Sequence, residues 1–261
     1  MKRKLLTALI KYQWLNERAY LGNFIAGIAS TIFYTSAFIV FVFLLFHRVG
    51  TIAGYTRNDL LLVFFVGQIG FFTTWQGMAE PFAEMIRKIN TGEFDFVLIH
   101  PVPLKSWVTV QGIEPLSGLL EVIPPMIIIS LFINWGELHI TPVHLILAGV
   151  VWLCSMAMCY LILLLLAAPA FSNGESSELL HVFWGMGPQP LPYERIPTAV
   201  KFTAFSVLPT ILYTSVVTAV VLGRIQATGV VIGAVAAGTA ALLMQRLVWR
   251  RALRVYTSAS S

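Results

Sequence analysis

Apolar residues in this chain come in blocks of about twenty, and short charged stretches cut between the blocks. A charge-free block of that length, wound as an α-helix, covers the roughly 30 Å hydrocarbon core of a bilayer. Six such blocks are predicted as spans, at residues 24–46, 60–79, 116–133, 143–171, 198–222 and 229–248. Residues 1–22 have a different pattern. Lys2, Arg3, Lys4, Lys11 and Arg18 alternate with Leu5, Leu6, Leu9, Ile10, Trp14 and Leu15 at a helical repeat. That predicts a basic amphipathic helix lying in the interface, anchoring rather than crossing.

Two polar stretches interrupt the greasy pattern most sharply. Within "MAEPFAEMIRKINTGEF", residues 80–92 are predicted as a separate short helix. Pro81 suits its first turn, Glu80 and Glu84 its positive end, Arg87 and Lys88 its negative end, and Gly92 its stop. Phe82, Met85, Ile86 and Ile89 fall on one face, so the helix needs something to cover it: the inner membrane surface or a groove on another protein. Glu93, Asp95 and the stiff Pro101-Val102-Pro103 follow. The second stretch, residues 172–197, is polar and rich in proline. Two arrangements fit it. Either it is a loop between spans, or 176–190 crosses and 198–222 becomes a re-entrant hairpin bent at Pro209.

Composition narrows the class. With 57% hydrophobic and 11% charged residues and a mean hydropathy of +0.80, the chain falls outside soluble domains, which carry about 25% charge. An all-α membrane protein forming one domain over residues 1–261 is expected. Charge placement then orients it, because Lys and Arg are retained on the cytoplasmic side. Lys2, Arg3, Lys4, Lys11, Arg18, Arg87, Lys88, Lys105, Arg195, Lys201, Arg246, Arg250, Arg251 and Arg254 fall on one side, and only Arg48, Arg57 and Arg224 on the other. Both termini and residues 86–104 are therefore expected in the cytoplasm.

The net charge of +5 sits beside apolar runs rather than along a soluble face, which points to anionic lipid headgroups and not to nucleic acid. No cleaved leader is expected, since the first apolar run follows a polar stretch and is too long for one.

Candidate chemistry is sparse. Cys154 and Cys159 lie inside one apolar run, and His47, His100, His139, His144 and His181 are scattered, so no metal spacing or nucleophile–base pair emerges. No GxxxxGK[ST] loop is present to hold a nucleotide. Glu121 interrupts an apolar run and is either a pathway group or a residue near the cytoplasmic end paired with Lys105 or Lys201. Pro124-Pro125 should kink the same span. Gly229 and Gly233, continued by Ala237 and Ala241, allow close helix approach, within the chain or between copies. Trp75, Trp107, Trp135 and Trp152 fall near span ends, as aromatic belts do.

An amphipathic first helix, six spans and "IRKINTGEFDFVLIHPVPL" at residues 86–104 together resemble the permease subunit of a type-2 ABC exporter, of the six-span bacterial branch. In that branch an arginine, a glycine, an acidic residue and a Pro-Val turn recur at this point. Residues 191–224, "LPYERIPTAVKFTAFSVLPTILYTSVVTAVVLGR", are similar to the branch's later segment, with Pro192-Tyr193 standing where the family reads tyrosine then proline.

The resemblance implies that residues 80–92 are a coupling helix docked on a separate ABC ATPase subunit, with Glu84, Arg87, Lys88, Gly92, Glu93 and Asp95 at the contact. It implies a second permease subunit, a copy or a relative, and a multi-pass place in the bacterial inner membrane. ATP and Mg would bind the partner, leaving this chain without a cofactor or an enzymatic site of its own. The expected cargo is an amphipathic drug, lipid or peptide. The alternatives are a proton-coupled secondary transporter and a lipid-modifying membrane enzyme using Glu121.

Overall fold

A computed structural model describes residues 7, 11, 14–15, 21–52, 54–99, 104, 107–108, 115–173 and 209–256, and among them the regular structure is helical throughout. In chain order the helices are α1 (Leu21–Arg48), α2 (Arg57–Thr74), α3 (Glu80–Thr91), α4 (Phe94–Leu98), α5 (Pro115–Phe132), α6 (Pro142–Ala167), α7 (Ala170–Asn173), α8 (Pro209–Ile211), α9 (Val217–Val221) and α10 (Ala227–Val255). One wide π-turn, Trp75–Ala79, joins α2 to α3, and another, Leu212–Val216, joins α8 to α9.

Four helical stretches among the described residues are long and apolar enough to cross a membrane: Ile25–Arg48, Arg57–Thr91, Pro142–Ser172 and Ala227–Val255. Val122–Phe132 and Leu212–Val221 are shorter apolar helices within the two remaining expected spans. Most of the expected interface helix, and the segment 176–190, lie outside the described residues. Of the first, Thr7, Lys11, Trp14 and Leu15 are helical and exposed.

α1, α6 and α10 each bury one face, whereas α2 is buried all round from Asn58 to Phe64. In α1, Thr35, Ile39 and Val42 point inward, and Phe38 stacks on Phe64 with ring centroids 3.7 Å apart. Phe33, Tyr34, Phe41 and Leu44 are exposed on its other sides, an apolar surface suited to lipid. The π-turn, α9 and α2 form the middle of the bundle, with every residue from 210 to 221 buried. The Tyr213 ring lies directly on Gly70 of α2, where a Cβ would overlap it. On α10, Ala234, Gly238, Ala241 and Gln245 face α6, and a Cβ on Gly238 would stand 2.9 Å from that of Cys154. Gly229 and Gly233 have nothing within 4 Å, so the close approach within the chain runs through Gly238.

α3 starts at Glu80 and stops before Gly92, but it does not stand apart from α2. Through the π-turn the two are continuous, and Arg57–Thr91 is one helical rod of 35 residues, about 52 Å at 1.5 Å per residue. Ala79 keeps right-handed helical angles and no side chain caps the start of α3. Pro81 has no N–H to donate, which normally breaks a helix, and the π-turn just before it loosens the ladder where that donor is missing. A rod of this length exceeds a hydrocarbon core of roughly 30 Å, so an upright rod extends beyond the apolar layer.

Candidate functional site

The α3 rod divides cleanly into two faces. Pro81, Phe82, Met85, Ile86 and Ile89 are buried, against the ends of α6, α7 and α10 and against Phe94 and Val97 of α4. The Phe82 ring lies 5.1 Å from Tyr160 and stacks 6.4 Å from Trp249. Sequence left open whether this apolar stripe covers a membrane surface or fills a partner's groove, and here it is consumed within the chain. At about 1.5–3 kcal/mol per large side chain, that burial fixes the helix far more firmly than surface ion pairs of about 0.5 kcal/mol each could.

The opposite face is polar and self-neutral. Arg87 forks onto Glu84, with Nε to Oε2 and Nη2 to Oε1 both at 2.7 Å. Its Nη1 reaches Glu93 Oε1 at 3.5 Å, and Lys88 Nζ stands 3.7 Å from Glu84 Oε1. The hydrogen bonds that Arg87 donates to Glu84 raise its pKa above the ordinary value, so the guanidinium keeps its charge. Planar two-point pairing holds the guanidinium in one orientation, which a single-point ammonium pair does not. About half of the Arg87 and Glu93 side-chain surface remains open to solvent, so the network is ordered yet accessible.

Gly92 makes the return possible. Its φ of +76° is left-handed, and its N–H donates to the Ile89 carbonyl at 3.2 Å, ending α3 and turning Glu93 back over Arg87. Beyond the turn, Phe94 packs edge-on to Phe171 at 5.7 Å and Tyr256 at 5.2 Å. Asp95 points the same way and accepts a hydrogen bond from the Tyr256 hydroxyl at 2.8 Å. Burial, followed by that bond, pushes the Tyr256 phenol up to about 12. The structure thus gathers Glu84, Arg87, Lys88, Gly92 and Glu93 on one surface and ties Asp95 to the carboxyl-terminal segment. Glu121 lies on α5, with its side chain outside the described residues, as are Pro101 and Pro103.

Sequence reasoning missed a second polar cluster at the other end of the bundle. Arg224 Nη2 stands 2.6 Å from Asp59 Oδ2, and its guanidinium lies 4.3 Å over the Tyr55 ring. Asp59 also closes a capping box with Thr56 at the start of α2. Beside it, Asn58 Nδ2 donates to the Asn134 carbonyl at 2.7 Å and Asn58 Oδ1 accepts from the Asn134 N–H at 2.8 Å. The cap was readable as Thr56-x-x-Asp59 before an apolar run; its long-range partner was not. Among the described residues, no group of three or more His, Cys, Asp or Glu is placed to hold a metal ion.

A family model described as "ABC-2 family transporter protein" matches residues 32–260, most of the chain. The chain belongs to the ABC-2 transporter family. It is accordingly a multi-pass membrane protein and the permease component of an ABC transporter, a family whose members in general work with an ABC ATPase. No curated protein and no solved structure matched this ABC-2 permease.

Proposed function

We propose that this permease is driven by ATP hydrolysed on a separate subunit, and that the polar face of α3 is where that subunit docks. Glu84, Arg87, Lys88, Gly92 and Glu93 form the contact, and Asp95 braces it from behind through Tyr256. The carrying observation is the split of α3: its apolar side is spent on the permease core while Arg87 and Glu93, paired on the other side, stay about half open to solvent. Such a helix transmits force in both directions, because it is packed rigidly to the bundle and free on its outer face.

In this reading the chain spans the inner membrane six times with both termini in the cytoplasm, and pairs with a second permease subunit, a copy or a relative. ATP and Mg sit on the motor. When ATP closes the motor dimer, the state of the permease that fits the closed motor is favoured by the difference in docking energy. The continuous rod from α3 through the π-turn into α2 carries that shift into the bundle. Cargo is an amphipathic drug, lipid or peptide moved outward.

A photoreactive residue placed at the exposed Thr91 tests this directly in intact cells. The expected adduct is a nucleotide-binding protein with a P-loop. Crosslinking only to lipid would overturn the docking assignment.

A further inference from the structure

The last turns of α10 carry Arg246, Arg250, Arg251 and Arg254, all exposed. Among the described residues no carboxylate pairs with any of them; the ion pairs there belong to Arg87, Lys88 and Arg224. At 3.6 residues per turn, Arg246, Arg250 and Arg254 fall within an arc of about 80°, and Arg251 lies off its edge. The far side of the same turns is the packed one. There Gln245 Nε2 donates to the Ala157 carbonyl at 2.8 Å, and Trp249 Nε1 to the Tyr160 hydroxyl at 3.3 Å.

The arginine face also carries apolar residues. Ile232 and Leu243 before Arg246, and Leu247 just after it, are 65%, 56% and 61% exposed. α10 has 29 residues, about 43 Å, whereas the hydrocarbon core is roughly 30 Å thick. With Ala227 at the far boundary, about 20 residues bring the helix to the near one, at Arg246. Arg250 and Arg254 then stand about 6 Å and about 12 Å farther out, through the headgroup layer.

We propose that this stripe seats an anionic phospholipid of the leaflet at which α10 ends. An acyl chain lies along Leu243 and Leu247, and the phosphate sits between Arg246 and Arg250, whose planar donors match it two-point. Arg254 faces the outer part of the headgroup, where a neutral glycerol is accepted and a choline cation is repelled. A protein occupant fits less well. A second copy of α10 related by a twofold axis would press arginines onto arginines, and a soluble acidic partner would have to displace lipid from the face Leu243 and Leu247 occupy. The inference does not depend on the docking of an ATPase.

Native mass spectrometry of the purified full chain, offered phosphatidylglycerol or phosphatidylcholine, tests it. Phosphatidylglycerol should be retained in preference, and millimolar inorganic phosphate should not displace it. At about fivefold per arginine, R246Q/R250Q should weaken retention roughly twentyfold or more, while R251Q stays within about twofold of the parent. R250Q and R254Q singly, each expected to weaken it about fivefold, give the same answer where the double variant fails to fold. Equal retention of the two lipids, unchanged retention in R250Q, displacement by phosphate alone, or loss of a dimer in the variants would each overturn the assignment.

Discussion

Arg224 closes on Asp59 at 2.6 Å across 165 positions of sequence, fastening the turn between α9 and α10 to the first turn of α2. That turn is itself set by Gly223, at φ +64°, with Arg224 N–H bonded to the Ala219 carbonyl and Gly223 N–H to that of Val220. Asp59 is 6% exposed, so removing its partner strands a charge away from water. R224A should lower stability in detergent by about 2–4 kcal/mol, and D59A by at least as much, since Asp59 also caps α2. A thermal double-mutant cycle should give a coupling of about 1–3 kcal/mol. R224K should rescue little, because an ammonium loses the planar stacking of the guanidinium on Tyr55.

Glycines on α2 and α10 should separate by their surroundings. G70A drives a methyl into the Tyr213 ring and should cost about 1–3 kcal/mol, partly recovered by a smaller residue at 213. G229A and G233A meet nothing within 4 Å and should be neutral or stabilising by up to about 1 kcal/mol in the monomer. Melting temperatures of the purified variants check the contrast, and a loss of oligomer in G229A or G233A would instead place those glycines between copies.

Tyr256 gives the elbow between α4 and the end of α10 a pH signature. Its phenol is raised by burial and by the bond to Asp95, to about 12, against an ordinary value near 10. The folded state therefore holds the proton more tightly than the unfolded one. The stabilisation is complete below about pH 10 and is lost as pH rises from there through about 12. Y256F should remove this alkaline loss, measured by thermal unfolding across that range, and should also take the Tyr256 donor from Asp95 at neutral pH.

Much of this was legible because uninterrupted apolar runs leave little choice of structure: α1, α6 and α10 follow from length alone. The stripe Phe82, Met85, Ile86, Ile89 was legible as well, at helical spacing. That α3 continues α2 was not, because Glu80-Pro81 reads locally as a helix start and a π-turn leaves no mark in composition. Asp95 looked like part of the Glu93 charge cluster, and only the left-handed Gly92 and the α4 turn reveal that it faces Tyr256. Arg224 read only as one of three cations on the minority side, and nothing local ties it to Asp59, because pairing over such distances is a property of packing and not of any local pattern.

Orientation is tested from outside the cell. Cysteines placed at Thr51 and Thr91 both sit on exposed positions, so reactivity reports sidedness rather than burial. A membrane-impermeant maleimide should label T51C in intact cells and T91C only after permeabilisation. The reverse pattern would invert the chain and remove α3 from the reach of a cytoplasmic motor.

The central claim, that an ATPase grips the open face of α3, is read most directly by co-purification. R87E/K88E reverses both cations beside Glu84 and Glu93 and keeps Phe82, Met85, Ile86 and Ile89, although Lys88, 17% exposed, borders that buried side. Tagged parent chain should bring down an ATP-hydrolysing subunit in stoichiometric amount, and R87E/K88E should lose it while eluting from a sizing column as the parent permease does. Undiminished recovery of the ATPase, with undiminished hydrolysis, would contradict the account.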